Sequence, residues 1–97
     1  PIAPAQYFVL GQLEFYFGAR NLQRDVFLRQ QMDARGWVSL ALVGSFKRLR
    51  ALTEGSLTVL RDAAVLSGLL ETRDDRVRLR DGAWEPWVLK DAAASEV

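Results

Sequence analysis

An α+β fold, mostly helical and finished by a small antiparallel sheet, is what this 97-residue sequence predicts. Three observations carry that expectation. Val9, Leu13 and Tyr16 recur at the i, i+4, i+7 spacing of one helical face. Arg76-Val77-Arg78-Leu79-Arg80 alternates as a half-buried strand does. Between them, Gly18, Gly36 and Gly68 divide the apolar pattern into short helices.

The first helix is expected from about Ala5 to Phe17 and ends at Gly18, since glycine commonly follows a helix. Asn21 caps or turns the chain, and a second helix covers about Gln23 to Ala34, with Leu28 and Met32 inward and Gly36 at its end. Trp37-Val38-Ser39-Leu40 reads as a short strand, with Ser39 the N-cap of a short helix to about Ser45. Phe46 to Ala51 forms another helical turn. Thr53 caps a longer helix over Glu54–Ser67 that points Leu57, Leu60 and Ala64 inward and closes at Gly68. Leu69–Thr72 and Arg76–Arg80 then form a hairpin about the turn Arg73-Asp74-Asp75. Helices followed by a two-stranded wing, with one early strand to pair with it, make a winged helix. Residues 1–90 read as one domain and 91–97 as a flexible tail.

Composition narrows the function. A hydrophobic content of 49% suffices for one core and is too high for a wholly disordered chain. Pro1 is not a natural start, so the sequence reads as a domain of a longer protein. It shows no signal peptide and no apolar run of about 18 residues, and so no membrane partner is expected. With no Cys and no His, thiolate and imidazole metal ligands, Cys nucleophiles and a Ser-His-Asp triad are excluded. No carboxylate pair stands out. The expectation is a binding module, not an enzyme, that needs no cofactor. The net charge of +1 conceals a basic half: residues 1–50 carry seven Lys/Arg against three Asp/Glu, residues 51–97 six against nine. That asymmetry suits a polyanion partner as well as an ordinary solvated surface.

The densest chemistry lies in Gln12–Leu28, which sets Phe15, Tyr16, Phe17 and Phe27 among an amide, Gln12, and a carboxylate, Asp25. Rings that stack on bases, beside groups that bind a ribose, are what single-stranded RNA recognition requires. Gln12, Phe15 and Tyr16 share a helix face, and Asp25 and Phe27 open the next helix, so all five can line one cleft. Taken singly, each has an ordinary role. Phe15, Phe27 and Phe46 suit a core, Tyr16 its edge, Gln12 the solvent, and Asp25 a helix N-terminus or a partner for Arg24 or Arg29.

The joint pattern resembles the La motif, the winged-helix RNA-binding module of La and the La-related proteins. That family shows Gln-hydrophobic-Glu-Tyr-Tyr-Phe, then Asn-Leu, then Arg/Lys-Asp-x-Phe-Leu. Here the matching residues are Gln12, Leu13, Glu14, Phe15, Tyr16, Phe17, Asn21, Leu22, Arg24, Asp25, Phe27 and Leu28. The likeness continues through Gly36-Trp37-Val38, Ser45-Phe46-Lys47-Arg48-Leu49 and Leu52-Thr53, and covers about residues 6 to 80. It implies that Gln12, Phe15, Tyr16, Asp25, Phe27 and Phe46 hold the 3′ end of single-stranded RNA. Asp25 would accept hydrogen bonds from the terminal ribose hydroxyls, Phe27 and Tyr16 would stack, Gln12 would read a base edge and Phe46 would wall the pocket. Lys47, beside that wall, either stands in solvent as a surface lysine ordinarily does or meets a phosphate. The family commonly has Tyr where this chain has Phe15, so stacking survives and a hydroxyl hydrogen bond is lost.

Trp84-Glu85-Pro86-Trp87, Met32-Asp33 and Ser45-Phe46 look like the La-related protein 1 branch. That resemblance implies a cytoplasmic domain binding poly(A) and related mRNA ends, with roles in mRNA stability and translation; a small pocket-bearing domain is expected to be a monomer, with any protein partners engaged through neighbouring domains. Two other RNA or protein readings compete: La-type binding of 3′ oligo(U), and a protein-interaction winged helix using Trp84 and Trp87. Duplex DNA is disfavoured, because the helix over Glu54–Ser67 holds only Arg61 as a cation. For Arg76, Arg78 and Arg80, the nearby Asp74, Asp75 and Asp81 favour a solvated strand face over a phosphate-binding wing.

Overall fold

The computed structural model describes residues 3–97. Its elements are α1 (Pro4–Phe17), α2 (Ala19–Leu22), α3 (Val26–Gln30), β1 (Val38–Ser39), α4 (Leu40–Gly44), α5 (Lys47–Thr53), α6 (Leu57–Leu66), β2 (Leu70–Arg73), β3 (Arg76–Leu79) and a 3₁₀ turn at Glu85–Trp87. The three strands form an antiparallel sheet of order β1-β3-β2, with Val77 facing Val38 on one side and Thr72 on the other. This is the winged-helix arrangement predicted, with the early strand beside the wing.

α1 begins at Pro4, whose missing N–H costs nothing in a first helical turn. Its buried stripe is Val9, Leu13 and Phe17. Phe17, rather than the expected Tyr16, completes the face; Tyr16 lies at the core's edge. Burying side chains such as Leu13 and Phe17 contributes about 1.5–3 kcal/mol each. The stripe meets Leu22, Leu28, Leu40, Val43, Leu49 and Leu60 in one core, which the sheet closes with Leu70 and Val77. Gly18 ends α1 with an ordinary φ of −74°, so the left-handed freedom of glycine is not used there.

The second predicted helix is much shorter than the expected Gln23–Ala34. Residues 19–22 form their own turn of helix, and α3 begins only at Val26 because Asp25 is its N-cap. The early end has a polar cause. The Asp33 carboxylate accepts the N–H groups of Arg35 (2.8 Å) and Trp37 (3.0 Å), giving this backbone a partner other than a helix. Thr53 likewise does not cap the next helix. It is the last residue of α5, and its hydroxyl donates to the Leu49 carbonyl at 2.8 Å. Ser56 caps α6 by accepting from Val59 N–H, after Glu54 and Gly55 reverse the chain at positive φ. In the hairpin, Arg73 pairs with Arg76, so the turn is Asp74-Asp75, with Asp74 at φ 54°.

Ser67 ties α1 to the wing. Its hydroxyl donates to Glu14 Oε2 at 2.6 Å and accepts from the N–H groups of Leu69 and Leu70, each at 3.1 Å. Ser67→Ala removes the partner of these groups, of which only the Leu70 N–H is fully buried, so it is expected to cost about 1–3 kcal/mol, read as a lowered thermal midpoint.

The wing arginines differ from the solvated face predicted. Arg78 lies between two indoles, its Cζ 4.1 Å from the Trp37 ring centre and 5.1 Å from that of Trp84. Its Nε donates to Glu71 at 2.8 Å and its Nη1 to the Arg35 carbonyl at 2.9 Å. Arg76 sits 3.9 Å from the otherwise unpaired Oδ2 of buried Asp33. Of the three, Arg76 and Arg78 are half-buried and Arg80 is exposed. The indoles of the Trp84–Trp87 segment are used within the chain: Trp87 packs against the core and accepts from Arg29 Nε through its carbonyl at 2.9 Å. Residues 92–97 adopt no regular secondary structure, and the Ala93 carbonyl accepts from Ala34 N–H at 2.7 Å.

Candidate nucleic-acid interface

The outward face of α1 and the start of α5 enclose an open cleft of about 750 Å³, lined by Tyr7, Phe8, Gly11, Gln12, Phe15, Tyr16, Lys47 and Arg48. Four predicted site residues meet here: Gln12, Phe15, Tyr16 and Lys47. Asp25, Phe27 and Phe46 are outside the lining. They adjoin it through Tyr16, whose ring lies edge-on to Phe15 at 6.1 Å and to Phe46 at 5.1 Å. Phe46 in turn meets Phe27 at 6.2 Å. The five-residue cleft expected from sequence is therefore a cleft plus an adjoining cluster, because α3 starts at Val26 and directs Phe27 towards Phe46.

Phe15 is 46% exposed and Phe27 is 53% exposed. Rings of this size normally contribute to a core. These two do not, whereas Phe46 and Tyr16 pack partly against it. The result is a row of four rings, two anchored and two half-open.

Asp25 stands two residues before Phe27, the last ring of this row. Its Oδ1 accepts from Leu28 N–H at 3.0 Å and its Oδ2 from Asn21 Nδ2 at 3.0 Å. The same Asn21 amide donates to the Tyr16 carbonyl at 2.8 Å. Asn21 is buried and spends both amide protons in fixing the carboxylate against the end of α1. An ionised carboxylate offers about four lone-pair sites, so two remain for a ligand's hydroxyls. Asn21→Ala is expected to weaken ligand binding by about 5- to 10-fold while Asp25 keeps its N-cap bond. A titration of the folded variant checks this.

Four lining residues were not predicted from sequence: Tyr7, Phe8, Gly11 and Arg48. Phe8 precedes Gln12 by four positions and Tyr7 precedes Phe15 by eight, so helical spacing alone places both on the cleft side. Arg48 follows Lys47 on α5 and carried no separate signal. Among the described residues, no group of three or more His, Cys, Asp or Glu is placed to hold a metal ion. No described helix is long and apolar enough to cross a membrane.

A family profile described as "La domain" matches residues 9–66. The chain belongs to the La domain family. All seven predicted site residues fall within the matched segment. This La domain is 46% identical over 93 residues to the La RNA-binding domain-containing protein LHP1 of Cryptococcus neoformans var. grubii, covering 96% of the chain and 10% of that relative. It is 40% identical over 81 residues to La-related protein 1B of Arabidopsis thaliana, covering 84% of the chain and 18% of the relative. A La protein homolog of Aedes albopictus is 44% identical over 72 residues, covering 71% of the chain and 18% of the relative. The chain thus spans about a tenth to a fifth of these proteins. Among solved structures, the La autoantigen N-terminal domain superposes with a TM-score of 0.73 at 36% identity, over 84% of this chain and 92% of that one.

Proposed function

We propose that this La domain captures the 3′ end of single-stranded RNA without catalysis, with poly(A) as its favoured ligand. The observation that carries the proposal is the row of four rings, Phe15 and Phe27 half-open, together with the Asp25 carboxylate that Asn21 fixes two residues before Phe27. Stacked bases gain about 1–3 kcal/mol each on such rings. The remaining lone pairs of Asp25 suit the two hydroxyls of a terminal ribose, and its charge repels a 3′-phosphate. Because the 2′-OH is one of those hydroxyls, the same contact favours RNA over DNA. Gln12 is the base-edge reader and Lys47 the phosphate contact. The names of the relatives, La and La-related, agree with this reading.

The adenine preference rests on the Trp84–Trp87 segment and on the likeness to La-related protein 1B. In a longer protein such a domain would hold mRNA ends in the cytoplasm and act on message stability and translation. A protein-docking role for Trp84 and Trp87 is less well supported, since Trp87 packs on the core and Trp84 covers Arg78. For duplex DNA, the sole cation on α6, Arg61, is bonded to Asp75.

Homopolymer competition at fixed salt tests the proposal. Oligo(A) is expected to displace a labelled oligo(A) best, oligo(U) less well and oligo(dA) least. Equal displacement by oligo(dA) or by duplex contradicts it.

Phe15 offers a further check. Phe15→Tyr restores the hydroxyl common in the family and is expected to tighten oligo(A) binding by up to about 5-fold, measured by direct titration.

A further inference from the structure

We infer that the cleft between α1 and α5 is a track for the nucleotides 5′ of the captured end, with Phe8 and Tyr7 as stacking platforms and Arg48 as a phosphate contact. The inference rests on the 3′-end reading and extends it to residues outside the predicted pocket.

Exposure is the first ground. Phe8 is 68% exposed and Tyr7 is 59% exposed. Both open from the side of α1 that also presents Gln12, Phe15 and Tyr16 to the cleft. Charge is the second. Lys47 and Arg48 line the same cleft, and among the described residues neither has a carboxylate within salt-bridge distance. Rings on one wall and unpaired cations on the other match the two needs of a single-stranded polyanion, which are stacking and backbone neutralisation. An apolar helix of a protein partner would leave those cations without a counter-charge.

Continuity is the third ground. A second depression of about 350 Å³, lined by Phe8, Gln12, Arg48, Ala51 and Leu52, shares three residues with the first and carries the groove on towards Leu52. Phe8 and Phe15 are seven residues apart on one helix, about 10 Å along its axis. That span holds about three nucleotides at the stacked spacing of roughly 3.4 Å. The groove reaches Tyr16, whose ring meets Phe46 and whose carbonyl accepts from the same Asn21 amide that holds Asp25, so an RNA held by its end has an exit along α1.

The experiment is a length series on the full chain at fixed salt. It compares adenosine dinucleotide with octa-adenylate, both with free 3′-hydroxyls, for the wild type, the Phe8→Ala/Arg48→Ala double variant and Asp25→Asn. Wild type is expected to bind the octamer about 10- to 100-fold more tightly than the dimer. The double variant should lose most of that gain and keep its dimer affinity, and Arg48→Ala alone should lower the salt slope for the octamer by about 0.7. Asp25→Asn should weaken both ligands by a similar factor. Circular dichroism verifies that the variants are folded. A double variant that keeps the full octamer gain overturns the track and leaves the end pocket standing. A wild type with no octamer gain does the same. If Asp25→Asn changes neither ligand, the end-capture reading fails, and the inference falls with it.

Discussion

Replacing Asp25 by Asn is expected to weaken binding of oligo(A) with a free 3′-hydroxyl by about 10- to 100-fold while leaving the fold in place. The magnitude follows from the loss of hydrogen bonds to a charged acceptor, which are worth about 1.5–3 kcal/mol. The fold is spared because Asn caps helices as well as Asp, and its side-chain oxygen can still accept from Leu28 N–H or from Asn21, the present partners of Asp25. Asp25→Ala should weaken binding at least as much and also cost about 1 kcal/mol of stability through the lost cap. Comparing the two variants by titration and thermal melting separates the ligand contact from the structural one. Unchanged affinity in a folded Asp25→Asn protein contradicts the assignment.

Gly36→Ala is expected to destabilise the domain by about 2–5 kcal/mol, from a left-handed backbone cost of about 1–2 kcal/mol and a steric cost of about 1–3 kcal/mol. Gly36 has a φ of +82°, and a Cβ there would lie 2.5 Å from the Cβ of Trp84 and 2.7 Å from its Cγ. Those atoms are the root of the side chain and cannot swing away as a flexible tip would. The indole must move, and with it goes one half of the stack on Arg78. For a domain of this size, each kcal/mol lowers the thermal midpoint by about 4–8 °C, so a fall of about 8 °C or more is expected together with altered tryptophan fluorescence. The α1–α5 cleft lies on other elements, so the folded fraction should still bind oligo(A). A midpoint within about 2 °C of wild type contradicts this account.

What could be read from sequence follows the range of the interactions. The first helix is legible because Val9, Leu13 and Tyr16 recur at helical spacing ahead of Gly18, and the wing because Val77 alternates with charged neighbours. Gln12, Phe15 and Tyr16 came together as predicted, since spacing on one helix fixes their direction. The second helix was misjudged because Asp25 and Asp33 use their carboxylates to start and stop the local backbone. No periodicity reports such a bond. Phe8 and Tyr7 obey the same helical spacing as Gln12 but lie ahead of Gln12, the first of the residues that carry the family likeness. The Arg78 stack is not legible, because Trp37 lies far from Arg78 along the chain and Trp84, though near in sequence, reaches it only once the chain turns back after Arg80.

The central claim is that a carboxylate, positioned by Asn21 beside a row of rings, selects a free RNA 3′ end. Its most direct test is the affinity for one oligo(A) sequence in two forms, 3′-hydroxyl and 3′-phosphate, at the same salt. The account predicts that the 3′-phosphate binds at least about 10-fold more weakly, since it replaces a donor facing Asp25 with like charge. Equal affinity for the two forms contradicts it.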